Sequence, residues 1–305
     1  MTRLLLFALS LVFFSACSVR TIAVRSLGSA MAGGGGAYAR DDDPELVGAA
    51  LPFGLKTIEG LLEADPANRN LLLAAASGFT QYATAYVLWE ADYTESHDAA
   101  RAAELRERGR KLLLRALDYG RRGLEAAHPG LAVKLHGNGD ADPAVALRVT
   151  AREDVPFLYW TAAAWGTSIS RKKDDPELAA DLPIVEALLR RAVELDEGWG
   201  TGAIHDALML FEGGRPAAAG GSVERARNHF DRAVGLSRGG RAAPLVSFAE
   251  SISVGSQNRK EFESLLRRAL AIDLDAFPDQ RLANALAQKR ARWLLGRIGD
   301  LFLEE

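Results

Sequence analysis

One nine-residue phrase returns along the second half of the chain. Residues 188–196 read LLRRAVELD and residues 265–273 read LLRRALAID, identical at six positions of nine. HFDRAVGLS at 229–237 keeps the pattern between them, and LLLRALDYG at 112–120 is a looser copy upstream. Each copy sets apolar residues at helical spacing and puts a small alanine on the same stripe. A helix with one apolar stripe must bury it against a neighbour. Recurrence of such helices every few tens of residues is the mark of stacked helix pairs. The alanine lets two helix backbones come close.

The rest of the chain reads as more of the same stack. Asp43-Pro44-Glu45 is a helix start, with a capping carboxylate and then a proline whose missing N–H costs nothing there. That helix runs to about 64 and is expected to bend near Pro52. A second, about 70–91, carries Phe79, Tyr82, Tyr86 and Trp89 at spacings of three and four, so they are expected on one face. A third, about 97–127, is charged at first, with ion pairs among Arg101, Glu104, Glu107 and Arg108 on an outer face. The turn 136–140, HGNGD, breaks the pattern. Helices follow from about 143, 157, 176, 183, 198, 223, 242 and 258; Asn258 and Glu261 have capping-box spacing. A last helix, about 280–303, is expected to turn Leu282, Leu286, Trp293, Ile298 and Leu301 inward. No segment alternates like a strand. The fold class is all-α: a curved, superhelical stack of antiparallel helix pairs in one domain over 44–305.

The N-terminus has another purpose. Arg3 precedes the apolar run 4–14, and Ser15-Ala16-Cys17-Ser18 follows. This is signal-peptide anatomy, too short to span a bilayer, which takes ~20 apolar residues. Phe14-Ser15-Ala16-Cys17 resembles a bacterial lipobox, with phenylalanine where an aliphatic residue is usual. Cleavage is expected after residue 16, with lipidation of Cys17, the only cysteine. An ordinary secretory signal with an incidental cysteine is the alternative. Ser18 stands where an aspartate would resemble an inner-membrane retention signal, which points by analogy to the outer membrane. Residues 17–43, with four consecutive glycines at 33–36, read as a flexible tether.

Chemistry is sparse. Lys+Arg number 37 against 40 Asp+Glu, and neither sum nor pattern offers the basic face that nucleic acid needs. One cysteine allows no intrachain disulfide and no cysteine-based zinc site. The five histidines have no metal-ligand spacing. Ser168, Ser222 and Ser247 sit in no nucleophile elbow. No catalytic residue, metal or cofactor is expected. Trp160 and Trp165, five residues apart, point in different directions from one helix. Each is a core residue or the wall of a cavity, and their indole N–H groups would suit a mostly apolar pocket. His205 reads as a satisfied core histidine or a ligand contact. Asn284 and Gln288 read first as inter-helix hydrogen bonds, otherwise as polar points in a pocket.

Tyr159-Trp160 with Ala164-Trp165-Gly166, then Gly202 and His205, Gly220-Gly221, Ala226 and His229-Phe230 carry a resemblance. It continues through Phe262, Leu265-Leu266, Arg281-Leu282, Asn284, Ala287-Gln288 and Arg290-Ala291. Over roughly 40–305 the chain resembles the TatT family, the T component associated with some tripartite ATP-independent periplasmic (TRAP) transporters. The resemblance implies a periplasm-facing lipoprotein of cryptic tetratricopeptide-like helix pairs. It also implies a homotrimer, a central pore through each protomer, and a TRAP substrate-binding protein as partner. It implies a small, hydrophobic ligand, for which Trp160, Trp165 and His205 are the candidate lining. Two rival readings are a tetratricopeptide-like scaffold lipoprotein that handles no small molecule, and a hydrolase whose site is hidden from sequence.

Overall fold

The computed structural model describes residues 35–135, 142–171 and 180–303. The expected signal peptide, Cys17 and the turn 136–140 lie outside the described residues, as does the helix start at Asp175-Pro176. Among the described residues every regular element is helical, which establishes the all-α class.

The starts follow the capping residues. α1 is Gly35–Ala39. α2, Pro44–Ala64, opens where the Asp43 carboxylate accepts the N–H groups of Glu45 and Leu46 at 3.1 and 2.9 Å, and it runs on through Pro52. α3, Arg69–Thr94, is capped by Asn68 and contains a π-helical stretch, Ala83–Leu88. α4, Ala99–Ala127, is capped by Asp98. Two short helices, α5 (Leu131–Leu135) and α6 (Pro143–Ala146), lead to α7, Val155–Ser170. Then come α8 (Leu182–Leu195), α9 (Ala203–Gly213), α10 (Val223–Leu236) and α11 (Ala243–Phe248). A second π turn, Ala249–Ser253, prolongs α11. α12 (Arg259–Leu270), α13 (Arg281–Leu295) and α14 (Ile298–Leu301) complete the chain.

The repeat phrase packs as its spacing requires. Ala116, Ala192, Ala233 and Ala269, the alanine of each copy, are all fully buried. Leu188, Leu189, Leu265, Leu266 and Phe230 are buried with them, and in the looser upstream copy Leu113 is, whereas Leu114 is 37% exposed. Glycines do the same work elsewhere. A Cβ on Gly123 of α4 would lie 1.9 Å from the Phe157 ring of α7, so only glycine admits that crossing. Gly202 has φ +92° and sits 3.0 Å, at its Cβ position, from the Ala233 backbone. It therefore needs both glycine's freedom at positive φ and its lack of a side chain.

Each long helix packs on the next along the chain, α2 on α3, α3 on α4, α4 on α7, α7 on α8, and so on to α13. Two apolar cores result, one spanning α2 to α9 and one centred on α10 to α13. The stack then closes on its own beginning, because α13 also contacts α1 and α2. Arg290 of α13 pairs with Asp92 of α3 at 2.9 Å, and Trp293 meets Tyr93 edge-on at 5.2 Å. α3 is long and apolar enough to cross a membrane by composition, but half of that window is buried in the protein.

Four local expectations are revised. Helix α1 begins inside the expected tether, held by Arg40 Nε to Asp279 at 2.7 Å and by Arg281 to the Arg40 carbonyl at 3.4 Å. The aromatic face of α3 divides between Phe79 and Tyr82, ahead of its π stretch. Phe79 stacks on Tyr119 of α4, whereas Tyr82, Tyr86, Trp89 and Tyr93 line a cleft of about 360 Å³ against α2 and α13. The capping box at Asn258 is half made. Asn258 caps Glu261 N, but the Glu261 carboxylate turns to Arg227 at 2.7 Å and Ser253 at 2.9 Å. Finally, α13 buries Asn284, Ala287, Gln288, Ala291 and Leu294, with Leu282, Leu286 and Trp293 only half-buried. Polar residues take that face because they have partners. Asn284 accepts from Ala242 N and donates to Gly240 O, and Gln288 donates to Ile272 O at 2.8 Å. They are inter-helix hydrogen bonds.

Candidate functional site

Helix α7 is apolar nearly all round, so the two sides of it meet different surroundings. Trp165 is 3% exposed. Its indole Nε1–H donates to Asp181 at 3.2 Å, and the Arg121 guanidinium lies 5.7 Å from its ring. It ties the start of α8 to α4 and α7. Trp160 is half-buried and belongs to another surface. Its ring meets Tyr159 edge-on at 4.9 Å, and Tyr159 leans against Trp199 at 4.7 Å. The three rings form a continuous aromatic wall from α7 to the 3-10 turn before α9, and all three keep some accessible surface.

His205 and Asp206 start α9 and leave it in different directions. His205 is buried and fully engaged. Its Nε2 meets Glu197 at 3.1 Å and its Nδ1 meets His229 Nδ1 at 2.8 Å. A carboxylate only accepts, so His205 carries its proton on Nε2. His229 Nδ1–H must then donate to the bare His205 Nδ1. Arg232 completes the row with two bonds to Glu197 at 2.6 and 2.7 Å. The Arg232 bonds, with help from His205, hold the Glu197 carboxyl down at about 2. Burial holds both histidines below their usual value, and for His229 the neighbouring His205 adds to the effect.

This has a pH consequence. A histidine whose folded pKa is lowered takes up its proton more readily in the unfolded chain. Its neutral form therefore supports the fold above the usual value of 6.5, and that support is lost as pH falls from there towards the folded pKa. Thermal unfolding followed by circular dichroism should show Tm falling between pH 7.5 and pH 5.5. His229→Gln should flatten that slope; an unchanged slope would mean that other groups set it.

Asp206 has a partner of its own in Arg241. It is 8% exposed, and its Oδ2 lies 3.4 Å from Arg241 Nη2, the loop residue before α11. Burial pushes the Asp206 carboxyl above its usual range, with Arg241 pulling it back. The Tyr159 hydroxyl feels both charges; burial chiefly raises it to about 12. Sequence reading picked Trp160, Trp165 and His205 from this region. The structure puts Trp160 in the wall and gives Trp165 and His205 polar partners of their own. It adds Tyr159, Trp199, Asp206 and Arg241. An acid in the apolar run AIHDALML was the available signal for Asp206; nothing in sequence pairs it with a residue 35 positions on.

Comparison with known proteins agrees with the architecture. An uncharacterized protein of Treponema pallidum (strain Nichols) is 30% identical over 267 residues, which is 88% of this chain and 83% of that protein. The family model of the TRAP transporter T-component matches residues 40–302, from just after α1 to the end of α14. That span takes in helices α2 to α14, the aromatic wall and the contact of α13 with α2 and α3, and the chain belongs to the TRAP transporter T-component family.

Proposed function

We propose that this T-component receives or hands on a small apolar or amphipathic ligand, in partnership with a TRAP-type substrate-binding protein. As a T-component it belongs to a TRAP transport system, and the role proposed for it is an accessory one with no catalytic step. The observation that carries the ligand reading is the aromatic wall of Trp160, Tyr159 and Trp199, partly accessible although set among buried core residues. A mostly apolar surface with few polar groups suits weak, fast-released contacts. Trp160 lines the route in this reading, while Trp165 and His205 hold its walls from behind. Lipidation of Cys17 would tether the protein to a bacterial membrane, the outer one by our reading, facing the periplasm. Assembly is as a homotrimer, each protomer with its own pore.

A scaffold reading has one observation of its own. Leu46 and Phe53, seven residues apart on α2, are 60% and 80% exposed. Exposed apolar residues at helical spacing suit a protein contact.

The test is a pull-down of the lipid-free protein, residues 18–305, from its own periplasmic extract, with mass spectrometry of retained proteins and small molecules. A solute-binding protein and a co-eluting apolar molecule are the expected result. Recovery of envelope-assembly proteins alone would favour the scaffold. Trp160→Ala should reduce the retained small molecule while the oligomer persists; equal retention would remove Trp160 from the route.

A further inference from the structure

Four rings of α3 line a cleft that the route along the Trp160 wall does not use. Tyr82, Tyr86, Trp89 and Tyr93 follow one another at spacings of four, three and four, and the cleft they line against α2 and α13 holds about 360 Å³. That volume lies within the ~300–1,000 Å³ of small-molecule sites. Tyr86, Trp89 and Tyr93 are half-buried, so each keeps accessible surface. Tyr82 stacks on Tyr86 at 5.8 Å. Gly48 of α2 makes room for them, since a Cβ there would lie 2.6 Å from the Tyr86 ring. The charged lining residues are Glu45, Glu90 and Lys289. Lys289, more than half exposed, comes within 3.9 Å of Glu45. Glu90, on the same helix as the rings, has no hydrogen-bond or ion-pair partner among the described residues. The guanidiniums beside the rings are already engaged. Arg290, 5.7 Å from Trp89 and 5.4 Å from Tyr93, pairs with Asp92 and Glu250, and Arg108 donates to the Tyr82 hydroxyl at 3.1 Å.

We infer that this cleft binds a small quaternary ammonium, its charge against the ring faces and beside Glu90. An aromatic face is negative and attracts a cation held within about 6 Å of the ring centre. The class of cation follows from what the cleft lacks. A primary ammonium carries three N–H donors and needs an acceptor for each. The exposed carboxylates are the acceptors on offer, because the Tyr86 and Tyr93 hydroxyls are enclosed. A quaternary ammonium has no N–H to satisfy and is the ion that aromatic cages suit. An anionic ligand would meet two carboxylates and one ammonium. A neutral apolar one would gain ring contact and leave Glu90 unanswered. The site shares no residue with the Trp160 wall, so it adds a second ligand to the protein rather than renaming the first.

The experiment compares choline with two probes, each titrated calorimetrically into the delipidated full-length mature protein at pH 8 and low salt. One is 3,3-dimethylbutan-1-ol, which keeps the shape of choline and puts carbon in place of the charged nitrogen. The other is ethanolamine, which keeps the charge and restores three N–H donors. The wild type is expected to bind choline at least about tenfold more tightly than either, from several ring faces acting together. Glu90→Gln changes an exposed side chain and should weaken choline about threefold, the size of one exposed charge contact, without changing the affinity for dimethylbutanol. Tyr86→Leu removes a ring and should also weaken choline at least about threefold; circular dichroism checks that the variant is folded. Equal binding of choline and dimethylbutanol by the wild type, ethanolamine binding as tightly as choline, or choline binding that neither variant weakens overturns the site. So does the absence of choline binding at millimolar concentration. Each of these results leaves the route along the Trp160 wall standing.

Discussion

Arg290→Met lowers the melting temperature by about 6–15 °C, read by scanning calorimetry. Arg290 is 3% exposed and is the charged contact, beside Trp293 on Tyr93, through which the last long helix grips the first third of the chain. It donates to Asp92 of α3 at 2.9 Å and makes two bonds to Glu250 in the second π turn, its Nε at 3.2 Å and its Nη2 closer. Its guanidinium lies 4.2 Å from the Trp293 ring and within 6 Å of Tyr93 and Trp89. Burial disfavours the charge, and Glu250 and Asp92 together more than offset that. Methionine fills much of the same space, so the loss isolates the charge. Removing one partner of a buried ion pair costs about 3–5 kcal/mol, because the other is left uncompensated. Asp92 keeps Arg171 at 3.3 Å, whereas Glu250, one-third exposed, can turn to water. Adding Glu250→Gln should therefore recover part of the loss. A single variant within 2 °C of wild type, about 1 kcal/mol or less, would mean that closure depends on apolar packing alone.

Asp154→Ala is expected to cost a similar amount, about 3–5 kcal/mol in urea unfolding. Asp154 is 1% exposed and joins three helices. It accepts from Arg69 at the start of α3 (2.5 Å), from His128 at the end of α4 (2.8 Å) and from the Ala151 N–H before α7 (3.0 Å). Burial pushes its carboxyl up, but these bonds together outweigh that and hold it below its usual 3.8. With the folded pKa lowered, the stabilisation is in force above the usual value and is lost as pH falls through the folded one. The difference between wild type and variant should therefore hold from pH 7 to pH 5 and shrink below pH 4. A difference that shrinks already near pH 6 would mean that the Asp154 carboxyl is not the group that sets it.

Helix content, the cap at Asp43 and the buried alanines of the repeat were all legible in sequence, because each is a local rule. A cap acts within three residues, and a stripe repeats every three or four. The same periodicity misassigned the inward face of α13, for it ranks leucine above asparagine. Asn284 and Gln288 win that face because carbonyls and an N–H at the ends of the preceding helices need partners there. The π stretches were silent as well, since nothing in ATAYVL or AESIS departs from ordinary helix composition.

By itself the sequence determined that this chain builds helices and that the alanine of the repeated phrase is buried. Family membership was equally readable, through packing motifs spread over nearly the whole chain. Tertiary structure alone decided that the last helix returns to the first, and that Asp92 meets Arg290 across 198 positions. It alone set Asp206 against Arg241, 35 positions on. These are long-range meetings of charged groups inside a protein. Their strength comes from shared exclusion of water, and only the folded chain settles which charges are excluded together.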